Sequence, residues 1–248
     1  MPLKGNFENF IKFLRNADGE FRILEHQVPI ETQMEYFVYS GRLRELLPED
    51  LEIAFEQFAT VLFDSTGLFD QKKKILSALA VSKEVKAYRM LQEYVQNPDK
   101  ELKDWAHMAL MESRVMLESE LTDERQIYIS SGLGGKDNKM RFYILLLSAT
   151  GTQFLDYQQQ VIEREFAFAL QKDDCEIEEL TIQTNYVEII LLAPIQKNIK
   201  RTIENVVSEC NQYGDFIAKT ISITNVKRLT ENEIAQIISK HENIRTSS

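Results

Sequence analysis

An α+β fold is predicted by a change of apolar periodicity along the chain. Residues 1–125 repeat apolar side chains at helical spacing, whereas residues 140–226 switch period in the order strand, helix, strand, strand, helix, strand. A segment with three glycines, QIYISSGLGGKDNK at residues 126–139, lies between. The expected plan is a helical domain at 1–125 and an α+β domain at 126–248, entered through a Gly-rich loop at 132–139.

In the first half, Asn6 can cap a helix with Phe7, Phe10, Ile11 and Leu14 on one face, ended by Asp18 and Gly19. Residues 21–28 read equally as strand or extended connector. Pro29 can open a helix through Met34, Phe37 and Val38. Pro48 opens another, with Leu51, Ala54, Phe55, Phe58, Val61 and Leu62 on one face, and Ser65, Thr66 and Gly67 break it. Further on, Ile75, Leu76 and Leu79 mark one helix, Val85, Tyr88, Leu91 and Val95 a second, and Leu102, Trp105, Ala106, Ala109 and Leu110 a third. Between the last two, Asn97 is expected to cap and Pro98 to take the first helical position.

In the second half, residues 140–148 (MRFYILLLS) are apolar on both parities, as in a strand buried on both faces. Thr152 can cap a helix to about Lys172, with Leu155, Gln159, Ile162, Phe166, Ala169 and Leu170 as its stripe. Residues 176–183 form an imperfectly alternating strand, with a bulge at Glu178 and Glu179 where the parity of Ile177 and Leu180 slips. Thr184 and Asn185 make a turn. Residues 186–193 (YVEIILLA) are again apolar on both parities. Ile195, Ile199, Thr202, Ile203, Val206, Cys210 and Tyr213 then recur at helical steps before Gly214. A mixed strand follows at 216–226. Thr230 and Glu233 form a capping box for a last helix at 229–241, whose Ile234, Ile237, Ile238 and His241 share a face.

Two resemblances follow from these residues. Residues 70–121, with the Asn97-Pro98-Asp99 punctuation and small Ala106 and Ala109, resemble a HEAT or armadillo-type helical repeat, which implies a helical half with a partner-binding surface. Residues 140–226 resemble a ferredoxin-like domain, whose first and third strands are central. Its helices cover one sheet face. The second apolar face then needs a cover: the N-terminal helices, the terminal helix, or a second copy of the chain packing through the sheet.

With 44% hydrophobic and 27% charged residues, composition is that of a globular protein. The net charge of -10 and pI near 5.0 argue against nucleic acid as a partner held by phosphate coating. Neither half is basic: residues 1–125 carry 16 basic and 23 acidic groups, and residues 126–248 carry 13 and 16. No apolar stretch suits a signal peptide or membrane span, so a cytoplasmic location is expected. Cys175 and Cys210 form no metal pattern with three scattered histidines, and neither has the setting of a reactive thiolate. No catalytic residue, metal ligand or cofactor site is predicted.

Gly132, Gly134, Gly135 and Lys136 suggest a phosphate loop. The spacing fails: the place five before the Gly135-Lys136 pair is Ser130, Asp137 follows Lys136, and a strand rather than a helix comes next. The residues are kept as a candidate ligand or partner loop, with a simple turn at positive φ as the alternative. His107 reads as a packing or surface histidine. Lys72, Lys73 and Lys74 read as a solvated face or a partner surface, and Lys197, Lys200 and Arg201 as a small basic patch. Phe142 and Tyr143 on the first strand leave room for RNA stacking, although the third strand lacks the matching aromatics. The expectation is a non-enzymatic adaptor, scaffold or regulatory subunit with a protein partner. The alternatives are a small-ligand sensor using the Gly-rich loop or the sheet face, and an RNA-associated protein.

Overall fold

The computed structural model describes residues 20–46, 55–122 and 126–246. The helix expected from Asn6 to Leu14, with its Asp18-Gly19 stop, and the start at Pro48, Leu51 and Ala54 lie outside these. The protein is mixed α and β. It divides into two compact units between Gly134 and Gly135, so residues 126–134 go with the helices.

The first unit comprises β1 (Glu20–Ile23), α1 (Ile30–Leu46), α2 (Phe55–Leu62), α3 (Phe69–Val81), α4 (Val85–Tyr94), α5 (Lys103–Thr122) and β2 (Gln126–Ile129). Helix α3 is its hub, packing against α1, α2, α4 and α5. An unbroken buried run, Ile75 to Ala80, is what a helix surrounded by helices requires. Ala106 and Ala109, wholly buried, let α5 approach α3 closely, and Trp105 Nε1 donates to Ser77 Oγ across that contact at 3.0 Å. Tyr36 and Ser40 of α1 donate to the Glu112 carboxylate of α5 at 2.6–2.7 Å.

The segment left open between strand and connector, 21–28, overlaps β1, which pairs in parallel with β2 from Glu20↔Gln126 to Ile23↔Ile129. That pairing takes residues 126–129 into the first unit's sheet. The Asn97-Pro98 start is corrected. Asp99 precedes a 3-10 turn, Lys100–Leu102, and α5 begins only at Lys103. Asp99 wins because its carboxylate is held by Lys72 Nζ and Tyr94 Oη, both at 2.6 Å.

The second unit comprises β3 (Gly135–Lys136), β4 (Lys139–Ser148), α6 (Asp156–Lys172), β5 (Glu176–Ile182), β6 (Tyr186–Pro194), α7 (Ile199–Asn211), β7 (Ile217–Thr224) and α8 (Glu231–Thr246). The antiparallel sheet runs β7-β4-β6-β5, with β3 pairing to the start of β4. The two doubly apolar strands are thus central. The bulge lies where the parity slip places it, between Ile177 and Glu179. Two helix starts move: α6 begins at Asp156 and not near Thr152, leaving Leu155 exposed, and α7 begins at Ile199 under an Asn198 cap. Phe154, buried ahead of α6, holds the chain extended through residues where the helix was expected.

Both faces of the central strands are buried, Phe142, Ile144 and Leu146 on one and Tyr143, Leu145 and Leu147 on the other. Helix α8 lies near β6 and β7. Its Glu231 lies in the field of Tyr186 on β6, its Ile234 is buried, and its His241 shares a groove with Ala218 and Thr220 of β7. The capping box that starts it is made, with Thr230 N donating to Glu233 at 2.9 Å. Each large apolar side chain buried this way contributes about 1.5–3 kcal/mol.

Candidate functional site

The residues singled out in the sequence do not converge. Gly132, Gly134 and Gly135 are buried. Gly134 has φ +68, and a Cβ there would meet the Glu25 carbonyl oxygen at 2.4 Å. The turn itself uses Asp137 (φ 48) and Asn138 (φ 63), the two positive-φ positions of a two-residue hairpin joining β3 to β4. Lys136 is exposed and lies 3.9 Å from Glu176.

The lysine run is also not a solvated face. Lys72 is 1% exposed and paired with Asp99. Lys73 reaches Glu35 at 3.1 Å and stands 4.4 Å over the Trp105 ring, and only Lys74 is exposed. Lys197 is engaged by Asp173 at 2.7 Å and Lys200 by Glu204 at 3.5 Å. Burial raises the Cys175 thiol to about 11 and Cys210 to about 12, so neither is a ready nucleophile.

The sheet face is spent as well. Tyr143 is 1% exposed and donates its hydroxyl to Glu188, while Arg141 and Arg228 clasp Glu178 and Glu179. Phe142 is buried too, so neither ring is open for base stacking.

His107 is not isolated. Its ring stacks on His26 from the β1–α1 connector, centroids 3.7 Å apart, and His26 Nε2 lies 3.2 Å from Asp104 Oδ1. Burial first, then the charges of His26 and Lys103, hold the His107 imidazole down to about 4.

A concave surface appears instead around the turn after α7. Asn211 clamps that turn, its side chain donating to the Ile217 carbonyl and accepting from the Ile217 amide, both at 2.9 Å. Gly214 takes φ +125 inside it, and Phe216 is buried beneath. On one side lies an open groove of about 410 Å3 lined by Asn211, Asp215, Lys219, Thr220 and His241 over an Ala149, Ile217 and Ala218 floor. Lys219 is exposed and makes no ion pair among the described residues.

On the other side Tyr157 and Tyr213 stand 49% and 52% exposed. Arg164 lies 5.5 Å from the Tyr213 ring centroid and donates to its hydroxyl at 3.1 Å, and Tyr157 packs edge-on to Phe216. Phe168, one turn beyond Arg164 on α6, is 69% exposed. The arrangement offers aromatic and guanidinium planes for flat rings, beside donors and a cation suited to a phosphate.

Sequence reasoning misses this surface because Tyr213 keeps the helical spacing of the buried stripe. The signal against that assignment is Gly214, since the residue next to a helix-ending glycine sits outside the helix.

No protein-family model matches the chain, and no curated protein shows a significant match. Solved structures that match include a proposed transposase from Deinococcus radiodurans R1, at 14% identity and TM-score 0.34, covering 42% of this chain and 90% of that one. A REP-associated tyrosine transposase bound to a REP hairpin matches at 10% identity and TM-score 0.32, covering 40% of this chain and 62% of that one. Likenesses at these scores assign this chain no activity. The expectations of a non-enzymatic protein-interaction adaptor or scaffold, and of nucleic acid as an unlikely partner, are nevertheless withdrawn, because both neighbours are transposases and one is bound to a REP hairpin. Among the described residues no helix is long and apolar enough to cross a membrane.

Proposed function

We propose that the second unit binds single-stranded nucleic acid across the turn between α7 and β7. Bases stack on Tyr213 and Tyr157 beside Arg164, and a phosphate enters the groove toward Lys219, Thr220 and His241. The observation that carries this reading is the pairing, on two sides of one clamped turn, of exposed aromatic rings with a lysine that makes no ion pair among the described residues. Base–aromatic stacking contributes about 1–3 kcal/mol per base and is tolerant of sequence. The overall charge of -10 disfavours wide phosphate coating, so the contact is short and local.

In this reading the second unit is a ferredoxin-like domain and the first a HEAT-like helical array. The strand order and doubly buried central strands support the one, and the α3-centred packing with small Ala106 and Ala109 supports the other. Two unpaired, buried cysteines fit a reducing, cytoplasmic setting.

Fluorescence anisotropy of labelled single-stranded DNA and RNA oligonucleotides, with the duplex as comparison, tests the proposal. Binding of single strands is expected, weakened about tenfold or more by Tyr213→Ala and less by Lys219→Ala. The Lys219 variant also flattens the salt dependence by roughly one phosphate contact. No single-strand binding at low salt, or equal binding by the Tyr213 variant, overturns it.

A further inference from the structure

We infer that the helical unit carries a separate binding site, between α2, α3 and α4, for a small zwitterion of the amino-acid class. The site is a cavity of about 350 Å3 whose lining includes Leu62, Phe63, Lys72, Glu93, Asn97 and Asp99. Its size falls in the range of ligand pockets, about 300–1,000 Å3.

Lys72 sets the first requirement. An ammonium has three donors, and Lys72 spends one, on Asp99 Oδ2 at 2.6 Å. Its side chain is 2% exposed, so bulk water does not serve the other two. Gly67 closes over the stem: a Cβ there would lie 2.9 Å from Lys72 Cε. A ligand that offers oxygen acceptors satisfies these buried donors.

Charge sets the second requirement. Against Lys72 stand Asp99, which lines the wall and already accepts from Lys72 and Tyr94, Glu93, which is exposed, and Asp64, within the field of the Lys72 ammonium. A bare carboxylate entering here meets an excess of like charge. A carboxylate that brings its own ammonium meets Lys72 at one end and Glu93 at the other. Phe63, 46% exposed and edge-on to Tyr94 at 6.0 Å, supplies an apolar wall for a side chain. This site does not rest on the nucleic-acid reading, since it lies wholly in the first unit.

Thermal shift and calorimetry on the full chain decide it, using the common amino acids, each against its matched amine and matched carboxylic acid. A saturable rise in melting temperature with one or more amino acids is expected, with the matched amine and acid at least tenfold weaker. Glu93→Gln and Phe63→Ala, both at exposed positions, should each weaken that ligand about tenfold while circular dichroism stays unchanged. If no amino acid stabilises the protein, the spare donors of Lys72 are met by water and the inference fails. It fails equally if the matched acid binds as well as the zwitterion, or if Glu93→Gln binds unchanged.

Discussion

At the scale of single residues, the stacked histidines give a measurable acid sensitivity. The His107 imidazole is held at about 4 in the folded protein, below its usual 6.5. The unfolded chain therefore binds the proton first, and stability is complete above about pH 6.5 and falls as pH drops toward 4. For a half-buried ring the screened effect is on the order of 1 kcal/mol. His107→Phe, which keeps a ring against His26 and removes the proton site, should shrink the change in urea midpoint between pH 7 and pH 5. An unchanged difference would show that other groups set the acid limit. The pair was not legible in the sequence, because 81 positions of chain separate two residues that only the β1–α1 connector brings together. Lys72 shows the same limit: three consecutive lysines on a helix point in three directions, and spacing alone does not reveal that one is buried against Asp99, which Tyr94 also holds.

At the scale of elements, legibility follows how much of a signal is local. The bulge at Glu178, the capping box at Thr230 and the doubly apolar strands are written in a few neighbouring residues, and all are present. The starts of α5, α6 and α7 each lie later than the sequence suggests: capture of Asp99 delays α5, burial of Phe154 delays α6, and the Asn198 cap sets the start of α7. Helix α8 carries a prediction. Truncation after Arg228 removes buried Ile234 and half-buried Ile237 and Ile238. At about 1.5–3 kcal/mol per large apolar group, the loss is several kcal/mol. The melting temperature should fall sharply and light scattering should show association. A truncated chain that melts like the parent would show that α8 is an ornament on the sheet.

At the scale of the whole molecule, the parallel pairing of β1 with β2 ties the beginning of the first unit to its end, closing all five described helices into one loop of chain. Residues about a hundred positions apart must meet before that pair forms, so the two strands are expected to join late in folding. The same geometry has a mechanical consequence. Tension applied to the chain at residue 20 and at residue 129 pulls from opposite ends of two parallel strands, so their hydrogen bonds are loaded together in shear and cannot unzip one by one. Held in optical tweezers by handles at those two positions, the helical unit should stay shut to a high rupture force and then lengthen in a single step, whereas handles placed within α5 should peel it apart gradually.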